Sequence, residues 1–155
     1  MNILIVDGYN IINQWTGLKR ELQKTGLPGN GFEHARNELI EIMAEYQAFT
    51  GDKVVVVFDG YRTNKSQITK SNELGIEVIF SKRNQTADSV IERLAYKERQ
   101  ACLVGEGKTI LVATRDTALE RIIIGLNCII ISPQKLEDMV KRVKADIKAV
   151  LHSTE

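Results

Sequence analysis

Short apolar runs alternate along this chain with longer segments in which apolar residues recur at every third or fourth position. Each run is too short for a helix and does not alternate polar with apolar residues, which is typical of strands buried on both faces in a parallel sheet. The runs predict five strands, at Ile3–Val6, Lys53–Phe58, Ile76–Phe80, Thr109–Ala113 and Cys128–Ile131.

The segments between the predicted strands carry helical periodicity. Ser132 and Pro133 are the residue types preferred at a helix cap and at the first helical position, so a last helix is predicted to begin there. Alternating strands and helices predict an α/β fold: a three-layer α/β/α sandwich around a mainly parallel five-stranded sheet, as a single domain over residues 1–155. The other predicted helices are Phe32–Phe49, Ala87 to about Val104, and Arg115–Ile124.

Two segments show neither pattern and are predicted as loops. Residues 11–31 contain several glycines and one proline, which indicates a mobile loop. Residues 60–75 are polar and basic, which indicates a loop with a short helix.

The composition narrows the class of protein. Of 155 residues, 43% are apolar and 26% are charged, as in an ordinary globular domain. The formal net charge is +1, so any attraction to nucleic acid must come from a local basic surface. Cys102 and Cys128 lack metal-ligand spacing, and no apolar stretch resembles a leader or a membrane span. We therefore expect a cytoplasmic protein with two free thiols and no membrane partner.

An aspartate follows each of the first four predicted strands. Asp7 and Asp59 end their strands in the same Asp-Gly-Tyr sequence, whereas Asp88 and Asp116 each stand in a Thr-x-Asp at a helix start. Because the carboxyl ends of parallel strands meet at one edge of an open sheet, we expect the four carboxylates to converge there.

Each aspartate also has a purely structural interpretation. Asp-Gly is a common turn pair, and Thr86 and Thr114 could cap the helices in whose first turns Asp88 and Asp116 lie. Four carboxylates brought close together, however, would repel each other and raise each other's pKa, and a divalent cation relieves that repulsion. Oxygen ligands alone favour Mg²⁺ or Mn²⁺, which in such sites most often serve phosphoryl chemistry through an activated water.

Other common chemistries lack their motifs. The sequence contains no G-x-x-x-x-G-K-[ST], no G-x-G-x-x-G and no G-x-S-x-G. His34 and His152 have no evident triad partners and are expected to face solvent or a frayed terminus, and the two cysteines are expected in the core.

Seven motifs in matching order, over about residues 2–125, resemble the YacP-like branch of the NYN domains, which are PIN-like nucleases. These motifs are Ile-Val-Asp-Gly-Tyr-Asn (5–10), Phe-Glu-x-Ala-Arg (32–36), Met-Ala-Glu-Tyr-Gln (43–47), Val-Val-Phe-Asp (56–59), Glu-Val-Ile-Phe (77–80), Thr-Ala-Asp (86–88) and Val-Ala-Thr-x-Asp (112–116). Two departures stand out: Arg115 replaces a usual small residue, and Gly60-Tyr61 replaces a frequent Ala-His.

The resemblance implies a PIN-like sheet of order 3-2-1-4-5, with the predicted strands numbered along the chain, and a Mg²⁺- or Mn²⁺-dependent endoribonuclease. Members of this branch are similar to a bacterial ribosome-associated enzyme that cuts messenger RNA during translation. By position, the resemblance implies Asp7, Asp59, Asp88 and Asp116 as catalytic metal ligands. Asn10 could orient a ligand or contact phosphate, and Arg36 could face a phosphate or form a surface salt bridge. Glu92 could be an outer acid or simply an exposed helix glutamate.

A local excess of positive charge flanks two of the aspartates. Such a rim could seat an RNA backbone, although a lysine-rich loop is often merely solvated. Three aromatic residues could stack on unpaired bases, although Tyr9 could instead belong to the core. The basic residues are Arg62, Lys65, Lys70, Lys82 and Arg83, and the aromatic residues are Tyr9, Trp15 and Tyr61.

Three functions remain open at this stage. The leading hypothesis is hydrolysis of single-stranded RNA, leaving 5′-phosphate and 3′-hydroxyl ends. The second is an aspartyl-phosphate phosphatase or phosphoacceptor, but Tyr9 and Tyr61 stand where such sites usually place a second acid. The third is an RNA- or ribosome-binding module that keeps the fold without turnover.

Overall fold

The computed structural model describes residues 1–24, 28–60, 69–102 and 107–153. Its centre is a six-stranded sheet of order β3-β4-β2-β1-β5-β6. All neighbouring strands are parallel except β3 and β4, which form an antiparallel pair at one edge. The strands are β1 (Ile3–Asp7), β2 (Lys53–Phe58), β3 (Thr69–Glu73), β4 (Ile76–Phe80), β5 (Ile110–Ala113) and β6 (Ile129–Ile131).

Helices cover both faces of the sheet, which confirms the predicted three-layer α/β/α sandwich. Side chains of successive strand residues point to opposite faces, so β1 contributes Leu4 and Val6 to one core and Ile3 and Ile5 to the other. The first core is closed by α1 (Gly8–Gln14), α2 (Thr16–Lys24), α3 (Pro28–Thr50) and α6 (Pro133–Ser153), and the second by α4 (Ala87–Cys102) and α5 (Thr117–Gly125).

The five predicted strands are present in the predicted order 3-2-1-4-5, as β4, β2, β1, β5 and β6. The count of five is nevertheless wrong, because β3 adds a sixth strand within the segment predicted as a loop with a short helix. Residues 61–68 of that segment lie outside the described part of the chain. The strand escaped prediction because its sequence, Thr-Lys-Ser-Asn-Glu, is polar throughout and carries no alternation.

The β3–β4 hairpin closes through a two-residue turn. Glu73 pairs with Ile76, and the intervening Leu74 and Gly75 both have positive φ, at 52° and 90°. Two central residues with positive φ define the turn whose twist suits adjoining antiparallel strands. The turn thus joins a polar edge strand to a buried strand.

The prediction of a mobile loop at residues 11–31 is wrong for the residues that the structure describes. They form most of α1, all of α2 and the start of α3, with residues 25–27 outside the description. Ile11 on α1, Trp15 at the extended position between the two helices and Leu18 on α2 are all buried, so their packing in the core holds this segment despite its glycines.

Gly8 allows α1 to begin directly after β1. A Cβ atom at this position would lie 2.3 Å from the ring of Phe58, whose own side chain is fully buried. The turn therefore depends on a residue without a side chain. Within the described residues, no helix has both the length and the apolar character needed to cross a bilayer.

Candidate active site

Asp7 ends β1 as a buried carboxylate with two hydrogen-bond donors. The hydroxyl of Thr114 donates to Oδ2 at 2.9 Å, and the backbone N–H of Asn10 also donates to the carboxylate. Burial nevertheless raises the pKa of Asp7 to about 6, with the charges of Asp88 and Asp116 adding to the rise and the two donors opposing it.

Asp88 lies in the first turn of α4 and interacts with two further aspartates. Burial raises the pKa of Asp88 to about 6, helped by the charge of Asp116, by a side-chain hydrogen bond with Asp116, and by the charge of Asp59. This interaction places the carboxyl groups of Asp88 and Asp116 next to each other. All four predicted aspartates are thereby brought into one electrostatic group, although their shared role stays a prediction.

Asp116 combines its place in this group with a structural role. It precedes α5 and caps it, because Oδ1 accepts from the backbone N–H of Leu119 at 3.0 Å. The interpretation of Thr114 as a cap is wrong, since its hydroxyl links Asp7 to the N–H of Asp116 at 3.1 Å. Thr86 does act as a cap for α4, by accepting from the N–H of Ser89 at 3.2 Å.

Ser81 supports the end of β2 and was missed by the sequence analysis. Its buried hydroxyl accepts from the backbone N–H of Gly60 at 2.8 Å, donates to the carbonyl of Gln85 at 2.8 Å, and lies 3.4 Å from Oδ1 of Asp59. The signal that could have found it is its position directly after β4, where the other strands deliver functional side chains.

The donor set fits a hard divalent cation, because it consists of carboxylate oxygens without histidine or cysteine. The raised pKa values of Asp7 and Asp88 reflect the burial and repulsion that such a cation would relieve. Among the described residues, however, no three side chains of a metal-ligating type are placed close enough to share one ion. Mg²⁺ or Mn²⁺ therefore stays a prediction.

Arg36, predicted to contact phosphate or form a surface salt bridge, contacts the aromatic residues Tyr9 and Phe80. Its Nη1 atom donates to the hydroxyl of Tyr9 at 3.0 Å, and its guanidinium lies 5.8 Å from the ring centre of Phe80. Tyr9 packs in turn on Phe32 and Phe58, with ring centres 5.6 and 5.2 Å away. Tyr9 is therefore half-buried and packs against the core, in line with the alternative that it belongs to the core.

Asn10, the other predicted phosphate contact, lies on α1 and forms a hydrogen bond with the loop between β5 and α5. Its Oδ1 atom accepts from the backbone N–H of Arg115 at 2.9 Å, and Nη1 of Arg115 donates to Oε1 of Gln14 at 3.1 Å. The role of Arg115 in joining this loop to α1 had no sequence signal, since the contacts span about a hundred positions.

The remaining predicted contacts differ in exposure. Lys82 and Arg83 are exposed in the turn after β4, Lys70 is exposed on β3, and Glu92 is exposed on α4. Trp15, which could have stacked on unpaired bases, is only 5% exposed and its ring N–H donates to the carbonyl of Pro133 at 2.8 Å, so its ring faces are not open for stacking. Tyr61, Arg62 and Lys65 lie outside the described residues.

A mostly parallel sheet between two helical layers, with aspartates gathered at its carboxyl edge, defines a PIN-like α/β domain. The chain belongs to the YacP-like NYN domain family, whose family model matches residues 4–155. NYN domains are nuclease-like, so the family indicates a function related to RNA.

Two sets of relatives agree with this assignment. The uncharacterized protein YacP of Bacillus subtilis strain 168 is 48% identical over 95 residues, which span 61% of this chain and 52% of that protein. The match therefore spans about half the length of that curated relative. Two crystal structures of Rae1 (YacP) from Bacillus subtilis, one of a mutant, are 37% identical, with TM-scores of 0.78 and 0.76. Each alignment covers 99% of this chain and 82% of the other.

Proposed function

We propose that this protein is a metal-dependent endoribonuclease that hydrolyses single-stranded RNA. The observation that supports this most is the interaction of Asp88 with both Asp116 and Asp59, beside the buried Asp7. Carboxylates that raise each other's pKa in one site are suited to hold a divalent cation, and the NYN family supplies the RNA context.

In this proposal the side chains of Asp7, Asp59, Asp88 and Asp116, which are not close enough to share one ion as they stand, would close around Mg²⁺ or Mn²⁺, and Glu92 would act from outside them. The cation, when bound, supplies an activated water and neutralises charge on the scissile phosphate. Thr114 orients Asp7, and Ser81 orients the backbone beside Asp59, so each carboxylate has a fixed direction before RNA arrives.

The RNA backbone is proposed to lie along Lys82 and Arg83, with Arg62, Asn10 and Arg36 as further contacts. The exposed turn that carries Lys82 and Arg83 also supplies the carbonyl of Gln85 to Ser81, which ties it to the strand end of Asp59. Positive side chains beside an acidic site can seat phosphates while the cation serves the scissile one.

The family resemblance extends the proposal to messenger RNA, cut in the cytoplasm in association with the ribosome. This extension can be tested by mapping 5′-phosphate ends across the transcriptome in cells that express native protein or Asp7→Asn. Ends that depend on Asp7 and fall within translated messages would support it. Ends confined to untranslated RNA would contradict the ribosomal part.

The direct test is cleavage of a short single-stranded RNA by purified protein with Mg²⁺ or Mn²⁺. Native protein and Asp146→Asn, a change at an exposed position on α6, should cut the RNA and leave 5′-phosphate ends. Asp7→Asn and Asp88→Asn should each lose most of this activity. No cleavage by native protein with either ion, or equal cleavage by all four proteins, would refute the proposal.

A second candidate is an RNA-binding module without turnover. It is favoured by one observation: the described side chains include no group of three placed to share an ion. In that case native protein and Asp88→Asn would bind single-stranded RNA equally well, and neither would cut it. The aspartyl-phosphate alternative is less well supported, because Tyr9 is used in aromatic packing and accepts from Arg36.

A further inference from the structure

A polar cleft of about 470 Å³ lies beside the acidic site, between α1 and the start of α6. Its volume falls within the range of roughly 300–1,000 Å³ that is usual for small-molecule sites. Trp15 and Pro133 contribute its buried surface, and the other side chains around it are polar. These side chains are Gln14, Arg115, Ser132, Gln134 and Glu137.

The cleft and the acidic site share one segment of backbone. Arg115 stands between Thr114, which donates to Asp7, and Asp116, which caps α5. Its own N–H is held by Asn10 on α1, and its guanidinium lines the cleft. A ligand in the cleft would therefore lie next to any phosphate that the carboxylate site acts on.

The polar groups around the cleft suit the edge of a nucleobase. Gln14 and Gln134 carry carboxamides that can both donate and accept, and Arg115 has five N–H donors, one of which contacts Gln14 at 3.1 Å. Arginine and glutamine side chains are the groups that make paired hydrogen bonds to base edges.

The start of α6 itself is not the anchor for a ligand. Ser132 caps this helix by accepting from the N–H of Lys135 at 3.0 Å, and Pro133 has no N–H to offer. The acidic member, Glu137, pairs with Lys141 at 3.8 Å, which lowers its repulsion of a nucleotide phosphate. Recognition would therefore come from side chains, chiefly Arg115.

We propose that this cleft binds one unpaired nucleotide of the RNA strand, adjacent to the scissile phosphate, with Arg115 as a specificity-determining residue. The inference deepens the proposed function and rests on it for the direction of the strand. To enter such a cleft, a base must be unstacked from its neighbours and unpaired from the opposite strand. Binding in the cleft would therefore restrict the substrate to single-stranded RNA.

The chain has a single tryptophan, Trp15, and it lines this cleft, so a change in its fluorescence can be tied to binding there through the cleft residue Arg115. On the Asp88→Asn background with Mg²⁺, where RNA is not consumed, a short single-stranded RNA should change the Trp15 emission in a saturable way. The same RNA annealed to its complement should have little effect. Arg115→Ala should weaken the single-strand response about tenfold, as expected for loss of one charged hydrogen-bonding group.

Matched variants and control ligands test whether the change in Trp15 emission comes from RNA bound through Arg115. Arg115→Lys should recover only part of the affinity, and Arg142→Ala, an exposed arginine on α6 outside the cleft, should leave it unchanged. Inorganic phosphate alone should not change the emission, whereas a mononucleotide should do so weakly. A response to phosphate equal to that for RNA, or equal binding by Arg115→Ala, would overturn the inference.

Cleavage by otherwise native protein separates this inference from the proposed function. Arg115→Ala should raise KM for RNA about tenfold and change kcat much less, because a binding group is lost and not a reacting one. RNA that changes Trp15 emission without ever being cut would uphold the cleft and refute the nuclease. Cleavage that is insensitive to Arg115→Ala would uphold the nuclease and refute the cleft.

Discussion

The hydroxyl of Thr114 donates to Oδ2 of Asp7 at 2.9 Å, across 107 positions of the sequence. The same hydroxyl accepts from the N–H of Asp116 at 3.1 Å, so one buried side chain fixes two members of the acidic group. This arrangement orients Asp7 and sets the start of α5 with a single oxygen atom.

Replacing Thr114 with valine keeps the shape of the side chain and removes that oxygen. We expect the free energy of unfolding to fall by about 1 to 3 kcal/mol, because Asp7 and the N–H of Asp116 lose a buried partner. Thr114→Ser should retain most of the stability and of the RNA cleavage. Chemical denaturation and cleavage rates measured on both variants test this, and equal values for the two would contradict it.

Asp7→Asn should make the metal-free protein more stable while abolishing cleavage. A pKa raised from 3.8 to about 6 means that the charged form is disfavoured in the folded state at neutral pH. Removing that charge should raise the free energy of unfolding by about 1 to 3 kcal/mol at neutral pH. The measurement is denaturation in chelator, with Asp146→Asn as the control that should not change. A loss of stability in Asp7→Asn would show that the carboxylate is not repelled there.

The stability of the metal-free protein should depend on pH through Asp7 and Asp88. Both have folded pKa values of about 6, above the ordinary value of 3.8, so the folded protein binds more protons between these limits. Their contribution to stability is full below about pH 4 and is lost as pH rises through about 6. Denaturation curves at several pH values should therefore show a smaller loss of stability on raising the pH in a double Asp7→Asn, Asp88→Asn variant than in native protein. Identical pH profiles would refute this.

Ser81→Ala should disturb the strand end that carries Asp59. The backbone N–H of Gly60 and the carbonyl of Gln85 would lose their shared buried partner, at a cost of about 1 to 3 kcal/mol in stability. Cleavage should fall as well, because Asp59 loses a contact at 3.4 Å. Ser153→Ala, which removes an exposed hydroxyl near the end of α6, is the matched control for both assays. Equal behaviour of the two variants would argue against a supporting role for Ser81.

Gly8→Ala tests the close approach of α1 to Phe58. The new Cβ would meet the buried ring at 2.3 Å, so we expect a loss of about 1 to 3 kcal/mol in unfolding free energy. Gly17→Ala is a matched control on α2, where no atom lies within 4 Å of the added carbon, and it should be neutral or stabilising. Thermal or chemical denaturation of the two variants decides between these outcomes. Gly8→Ala as stable as Gly17→Ala would show that Phe58 can move aside at no cost.

The five predicted strands needed little beyond the sequence, whereas their order in the sheet was implied by the family resemblance. Runs such as Val54–Phe58 are apolar on both faces, so they can only be buried between two layers, and a strand end followed by aspartate places a carboxylate at the ligand edge. The helix at Ala87 and the one after Ser132 likewise follow from local capping and periodicity. Such features can be read from the sequence because they depend only on residues a few positions apart in the chain.

Only the tertiary structure decided the features that depend on distant partners. The polar strand Thr69–Glu73 exists because β4 offers it a hydrogen-bonding edge, and Trp15 is buried because α6 brings Pro133 to its N–H. The bonds of Thr114 to Asp7 and of Arg115 to Asn10 join residues about a hundred positions apart. The sequence alone determined the five apolar strands and the residues that end them, because burial and periodicity are local. The contacts that orient the aspartates required the folded sheet, because they arise only when β1 and β5 lie side by side.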